Sequence, residues 1–182
     1  MTLSPEAMSA DLSFPIGKFT RAPSLSESEW QAAVATMATQ PARLRSALAG
    51  LNDEQLDTPY RPGGWTVRQL AHHVPDSHMN MYTRLKLALT EDNPTIKPYD
   101  QDAWSKLSDV HEVPVATSLA LFDAVHERAL SVLRHVTPAE RERTFIHPQN
   151  GPTRVDQLAA LYAWHGDHHI AHVQHLRARM GW

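Results

Sequence analysis

Residues 161–172 read Leu161-Tyr162-Ala163-Trp164-His165-Gly166-Asp167-His168-His169-Ile170-Ala171-His172. The stretch follows Thr153-x-x-Asp156, which has the form of a helix-capping box, and runs on without proline to about Met180. Each residue of an α-helix advances about 100°, so residues four apart share a face one turn apart. Two histidine pairs have that spacing, His165/His169 and His168/His172. The apolar stripe Val155, Leu158, Leu161, Tyr162, Val173 and Leu176 distinguishes them. With His165 set at zero, the stripe centres near about +40°, and His169 falls at about +40°. His165 and His172 lie within about 60° of the centre and His168 roughly 100° from it. The pair expected to face inward is His165/His169.

The rest of the chain is also helical in pattern. Ser26 with Glu29 forms a capping box ahead of Trp30, Val34, Met37, Leu44 and Leu48, with a kink or break expected at Pro41 and a stop at Gly50. One short helical turn fits Asn52–Leu56, and residues 58–64 read as a loop. Thr66 caps a second long helix to about Thr90, which Pro75 should bend, leaving the Ala71 carbonyl without its helical partner. Residues 91–116, with Pro94, Pro98 and Pro114, read as a long crossover holding a short helix near Trp104. Thr117 or Ser118 opens a third long helix, ending near Thr137-Pro138. Four long helices with long connections and no strand alternation predict an all-α four-helix bundle. Nothing splits the chain, so residues 1–182 form one domain, with residues 1–24 an extended N-terminal segment.

The 182 residues carry 17 Lys+Arg against 20 Asp+Glu, a net charge of −3, which leaves no basic field to hold a nucleic-acid backbone. Cysteine is absent, which excludes disulfides, thiolate zinc sites and a protein-borne thiol nucleophile. No apolar run is long enough to cross a bilayer and no signal-peptide pattern is present, so a cytoplasmic protein without membrane contact is expected. Histidine, by contrast, is abundant at 12 residues.

Two imidazoles one turn apart, aimed into a bundle, hold a divalent metal once a third ligand comes from another helix. The second helix offers His72, His73 and His78. His73 is favoured on balance, about 110° from the centre of its stripe, while His72 points nearly opposite and His78 lies inside the stripe. Imidazole ligands suit Zn, Ni, Cu and Fe(II) rather than Mg or Ca. His111, His126, His135 and His175 read as hydrogen-bonded core or surface residues, Tyr162 and Trp164 as core, and Glu91, Asp92, Asp100 and Asp102 as a solvated loop. Gly166 follows His165, so the HExxH word with its carboxylate base is missing, as are GxSxG, GxGxxG and P-loop patterns.

The word Gly63-Gly64-Trp65-Thr66-Val67-Arg68-Gln69-Leu70-Ala71-His72-His73 with Asp76-Ser77-His78, and the 161–172 word above, resemble the two helix signatures of the DinB/YfiT-like superfamily. The resemblance is closest to the YfiT branch, described as metal-dependent hydrolases, and extends through Phe14-Pro15-Ile16-Gly17, Asp57–Arg61, Lys97–Asp100, His147-Pro148 and Met180-Gly181-Trp182. It implies a four-helix bundle with long crossovers, a homodimer, and one divalent metal per chain, commonly assigned as zinc or nickel. It maps the ligands onto His73, His165 and His169. The chain departs from the pattern at Pro75, where a small residue is expected. It departs again at His172, where several members carry Gln and where a histidine offers a fourth nitrogen or a supporting group.

Three neutral imidazoles leave a coordination position open and the metal's full charge in place, the layout of a catalytic site. Relatives in the superfamily include S-transferases and isomerases that use thiols such as bacillithiol or mycothiol. The expected function is therefore activation of a low-molecular-weight thiol for S-transfer to a small electrophile. Hydrolysis by metal-activated water is the alternative, with Asp76 or His172 as base, and a non-catalytic metal bundle is a third reading.

Overall fold

The computed structural model describes residues 12–182, so residues 1–11 of the expected extended segment lie outside the described part. The long helices are α1 (Glu27–Leu48), α3 (Val67–Thr90), α6 (Val115–Leu133) and α8 (Val155–Met180). Single turns α2 (Asp53–Leu56), α4 (Gln101–Trp104), α5 (Asp109–Glu112) and α7 (Pro138–Arg141) punctuate the connections. Strands β1 (Thr144–His147) and β2 (Gly151–Arg154) pair as an antiparallel hairpin just ahead of α8. No helix among the described residues is long and apolar enough to cross a membrane.

The expected caps form at the first two long helices. The Ser26 N–H donates to Glu29 Oε2 at 2.7 Å while Ser26 Oγ accepts from the Glu29 N–H, and Thr66 and Gln69 repeat the exchange. Three expectations need correction. Of the kink or break expected at Pro41, the break is absent, because α1 runs through the proline over 22 residues. Helix α6 starts at Val115, directly after Pro114, rather than at Thr117 or Ser118. Thr153 does not cap α8, since it is held in β2 by pairing with Phe145. Asp156 is buried there instead, accepting from Arg154 Nη2 at 2.9 Å and from the Leu25 N–H at 3.2 Å.

Helix directions follow from the contacts. Leu25, at the start of α1, meets Asp156 at the start of α8, and Arg177 near the end of α8 donates to the Ala47 carbonyl near the end of α1 at 2.8 Å. These two helices are therefore parallel. His72 meets Ser118 and His78 meets His126, so α3 and α6 are parallel to each other as well. Parallel neighbours cannot be joined by a tight turn, which accounts for the long 91–114 crossover between α3 and α6.

The apolar core is divided into two clusters. One holds Trp30–Met37 of α1, Met81–Ala88 of α3, Ala129–Leu133 of α6 and Val155–Ala163 of α8. The other holds Leu44–Leu48, Val67–Val74, Leu119–Phe122 and Ile170–Leu176 of the same helices. Between the two stretches every helix places a buried polar residue: Gln40, His78, His126 and the histidines following Ala163. The candidate site is built in this polar layer.

Candidate metal centre

In the loop before α3, Gly63 adopts φ +68°, a conformation costly for other residues, and the chain then turns into the Thr66 cap. That entry puts His73 two turns inside α3, facing α8. His73 Nε2 lies 3.4 Å from His165 Nε2, and His169 Nε2 lies 3.2 Å from the same atom. Among the described residues these three histidines are the group able to hold a metal, with ligand atoms within 4.8 Å of one another. Tetrahedral zinc with Zn–N of about 2.0–2.1 Å places its ligand nitrogens about 3.3–3.4 Å apart, close to the 3.4 and 3.2 Å found here. No carboxylate belongs to the group.

Burial pulls the His73 imidazole down to about 4. It holds His165 and His169 well below the ordinary histidine value, and the neighbouring imidazoles add to the effect. All three rings are therefore neutral at pH 7 with lone pairs available, the state a metal requires. The alternatives on α3 are resolved by their partners. His72 turns away, with Nδ1 2.7 Å from Ser118 Oγ on α6, and His78 is fully buried between His126 and His165.

The second pair on α8 has a different role. His172 Nε2 lies 3.1 Å from His168 Nε2, outside the three-nitrogen group, and its ring packs on Tyr60 at 4.2 Å. His168 is stacked under Trp164 at 4.5 Å, and Phe14 of the N-terminal segment approaches it from outside. Trp164 is thus a wall residue rather than core, and its Nε1 donates to the Gly17 carbonyl at 3.2 Å. These rings line a front cavity of about 510 Å³ that reaches His73, His165 and His169. A rear cavity of about 610 Å³, lined by Ser77, Arg84, Tyr99, His147 and Tyr162, reaches His165 from the other side. The two cavities share His165 and Gln101.

Asp76 lines neither cavity. Its carboxyl is pushed up to about 6 by burial and, secondarily, by the charge of Asp109. Of the two residues considered as a base, the fold brings only His172 to the site. Asp102, read from sequence as part of a solvated loop, accepts from Trp65 Nε1 at 3.1 Å at the front cavity, and Trp65 packs edge-on against His73 at 4.7 Å.

The sequence matches the DinB superfamily profile over residues 36–173. The chain belongs to the DinB superfamily. Two relatives named "Putative metal-dependent hydrolase", from Bacillus mycoides (strain KBAB4) and Bacillus cereus (strain B4264), are 48% and 47% identical over 172 residues. Each alignment covers 94% of this chain and 99% of the relative. The fold superimposes on YfiT from Bacillus subtilis, described as a probable metal-dependent hydrolase with an unusual four-helix bundle topology. The TM-score is 0.92 at 44% identity, covering 95% of this chain and 99% of YfiT. The four-helix bundle protein TT2238 shares the fold alone, at TM-score 0.55 and 22% identity. The DinB resemblance and the all-α bundle expected from sequence are thereby borne out.

Other residues of this DinB domain were not legible as part of the site. Gln40 is one: its Nε2 donates to the Ala163 carbonyl at 2.7 Å, and a Cβ on Gly166 would fall 2.3 Å from its Cδ. Gly166 is where an HExxH motif would carry its glutamate, and any side chain there would have to displace Gln40. For Gln40 and His126 the sequence signal is Pro41, four residues after Met37, since it removes the i+4 donor of the Met37 carbonyl.

Proposed function

We propose that the protein is a metal-dependent enzyme whose His73, His165 and His169 hold one divalent ion, zinc or nickel, and whose reaction joins a low-molecular-weight thiol of the bacillithiol type to a small electrophile. The observation that carries this reading is the all-imidazole nitrogen group at the front cavity, one member of which, His165, also lines the rear cavity. A bimolecular transfer needs room for two substrates at one centre, and two cavities that share His165 supply it. The acids on the cavity walls among the described residues, Asp102 and Asp100, each accept hydrogen bonds at Oδ1, from Trp65 and from the first turn of α4.

A bound divalent ion supplies a Lewis-acid charge that lowers the pKa of a thiol or water brought to it. The chain's own groups do the rest. Trp65, Trp164 and Tyr60 give the front cavity apolar walls. In the rear cavity Arg84 has no carboxylate partner among the described residues. Burial pushes the Tyr99 hydroxyl up to about 12, so it remains a donor. Together they suit an anionic group on one substrate. The thiol releases its proton to solvent, its sulfur forms the new bond to the electrophilic atom, and the leaving group departs with the electron pair of the bond that breaks.

The test is to incubate zinc- or nickel-loaded protein with monochlorobimane and, in parallel, bacillithiol, mycothiol, glutathione or no thiol. Conjugate should form with one of the thiols and be lost in His169→Ala. The names of the relatives favour a second reading, hydrolysis. Thiol-independent cleavage of an ester or amide, lost in the same variant, would overturn S-transfer and establish it.

A further inference from the structure

The polar layer contains two buried imidazoles that the reading above does not use. His78 is 0% and His126 1% exposed, and neither lines a cavity. Their contacts form a continuous path. His126 Nδ1 lies 2.9 Å from the Met37 carbonyl oxygen, His126 Nε2 lies 2.8 Å from His78 Nδ1, and His78 Nε2 lies 3.3 Å from His165 Nδ1. The path crosses from α1 to α6 to α3 to α8, visiting all four long helices. Gln40 closes the circuit from α1 back to α8 through the Ala163 carbonyl.

The direction of every bond is fixed from one end. Pro41 has no N–H, so the Met37 carbonyl has no helical donor, and a carbonyl can only accept. His126 Nδ1 must therefore carry the proton. A neutral imidazole has one N–H, which makes His126 Nε2 an acceptor and requires the proton on His78 Nδ1. By the same step His78 Nε2 accepts, and His165 Nδ1 carries the proton. His165 Nε2 is then the bare nitrogen, and it is the atom facing His73 Nε2 and His169 Nε2. The opposite polarity would set a nitrogen lone pair against the Met37 carbonyl oxygen in a buried layer, leaving both acceptors unsatisfied.

We infer that Pro41, His126 and His78 form a directional relay that locks His165 in the Nδ1–H tautomer and aims its Nε2 lone pair at the metal. His78 and His126 are positioning residues, acting through His165 without touching substrate. The relay rests on His165 being a ligand. It singles that histidine out, because His169 Nδ1 has no hydrogen-bond partner among the described residues. A metal-bound histidine is commonly oriented by a carboxylate or backbone carbonyl on its other nitrogen. Here the carbonyl is two imidazoles away.

The polarity is read directly from side-chain 15N–1H NMR of the zinc-loaded, histidine-labelled protein. The relay requires N–H correlations at Nδ1 of His165, His78 and His126 and none at their Nε2 atoms. A proton on Nε2 of His78 or His126 overturns it, and this readout needs no variant to fold. A second arm measures zinc affinity by chelator competition in His78→Phe and His126→Phe, with folding checked by circular dichroism. A ten- to hundredfold loss is expected for His78→Phe, as for removal of other groups that support a metal ligand. A smaller loss in the same direction is expected for His126→Phe, which contacts no ligand. Wild-type zinc affinity in both folded variants overturns the relay. Failure of the wild-type protein to take up zinc would instead overturn the metal reading, with the tautomers still visible in the same spectrum.

Discussion

His165/His169 and His168/His172 lie on one helix with the same four-residue spacing, yet they keep different company. The first pair turns into the polar layer, meets His73 from α3 and is backed by His78. The second is rotated toward the cavity wall, paired with itself and covered by Trp164 and Tyr60. Spacing identifies which residues share a face. What converges on that face from the other helices decides whether it becomes a site for a metal or a wall. The comparison is broken most directly by removing one member of each pair. His165→Ala or His169→Ala should reduce bound zinc from near one per chain by at least tenfold, measured by plasma emission after dialysis. His168→Ala should leave it near one. Metal lost with His168 and kept without His165 would reverse the assignment of the two faces.

Gly166 follows His165 directly and lets α8 approach Gln40. Alanine there places a Cβ 2.3 Å from a fully buried side chain that is fixed to the Ala163 carbonyl. Overpacking of this kind costs about 1–3 kcal/mol. Gly166→Ala should therefore lower the urea midpoint at unchanged m-value, and weaken metal binding in step as α8 is pushed off α1. An unchanged midpoint would show that Gln40 can move aside, and that the glycine is not what holds the two helices together.

The two cavities that meet at His165 can be separated by Arg84. If it seats an anionic substrate group in the rear cavity, Arg84→Gln loses a charge-assisted hydrogen bond of about 1.5–3 kcal/mol. KM for the substrate carrying the anion should then rise roughly tenfold or more, with kcat and KM for the partner substrate little changed. A change in kcat alone would place Arg84 at the chemistry and not at substrate binding.

Much of this was legible in the chain because it depends on local periodicity. The long helices, two of their caps and the inward face of His165/His169 follow from 3.6-residue spacing. For His73 over His72 the spacing gives only a leaning, which the family resemblance strengthens; what holds His72 away is not local. It depends on Ser118 arriving from α6 to take His72, a contact made across the crossover. Pro41 shows the same limit. The sequence indicates that the Met37 carbonyl loses its helical donor, and a break is the simplest outcome. The structure keeps α1 intact because His126, 89 residues away, supplies the missing hydrogen bond. The rear cavity was invisible for a related reason, since its walls come from α3, the crossover, the hairpin and α8.

Acid should act through the buried imidazoles. His126 and His168 are pulled down to about 4 and His172 to about 3, by burial first in each case. Unfolded histidine titrates near 6.5, so below that pH the unfolded chain binds protons that the folded chain refuses. Stability of the metal-free protein should fall as pH drops from about 6.5 toward 4. Asp76, raised from 3.8 to about 6, works the other way: its carboxyl holds a proton in the folded state that the unfolded chain has released. One group of that sign against several imidazoles softens the decline without reversing it. A urea midpoint that rises between pH 6.5 and 5 would refute this balance.

The smallest expected effect comes from His172→Gln, which tests the wall pair without emptying it. A glutamine at this position can still reach the His168 Nε2 with an amide N–H, so the hydrogen bond within the pair survives the change. The ring contact with Tyr60 at 4.2 Å is lost, and with it some packing at the mouth of the front cavity. His172 lies outside the three-nitrogen group, so zinc affinity should stay within about threefold of wild type, well under the ten- to hundredfold attached to groups that orient a ligand. Turnover should change by a similar small factor, through KM more than kcat, because a wall residue shapes the cavity and does not touch the reacting atoms. If His172→Gln instead lost zinc as fully as His169→Ala, His172 would be a fourth ligand. The distinction between a pair that binds and a pair that encloses would then disappear.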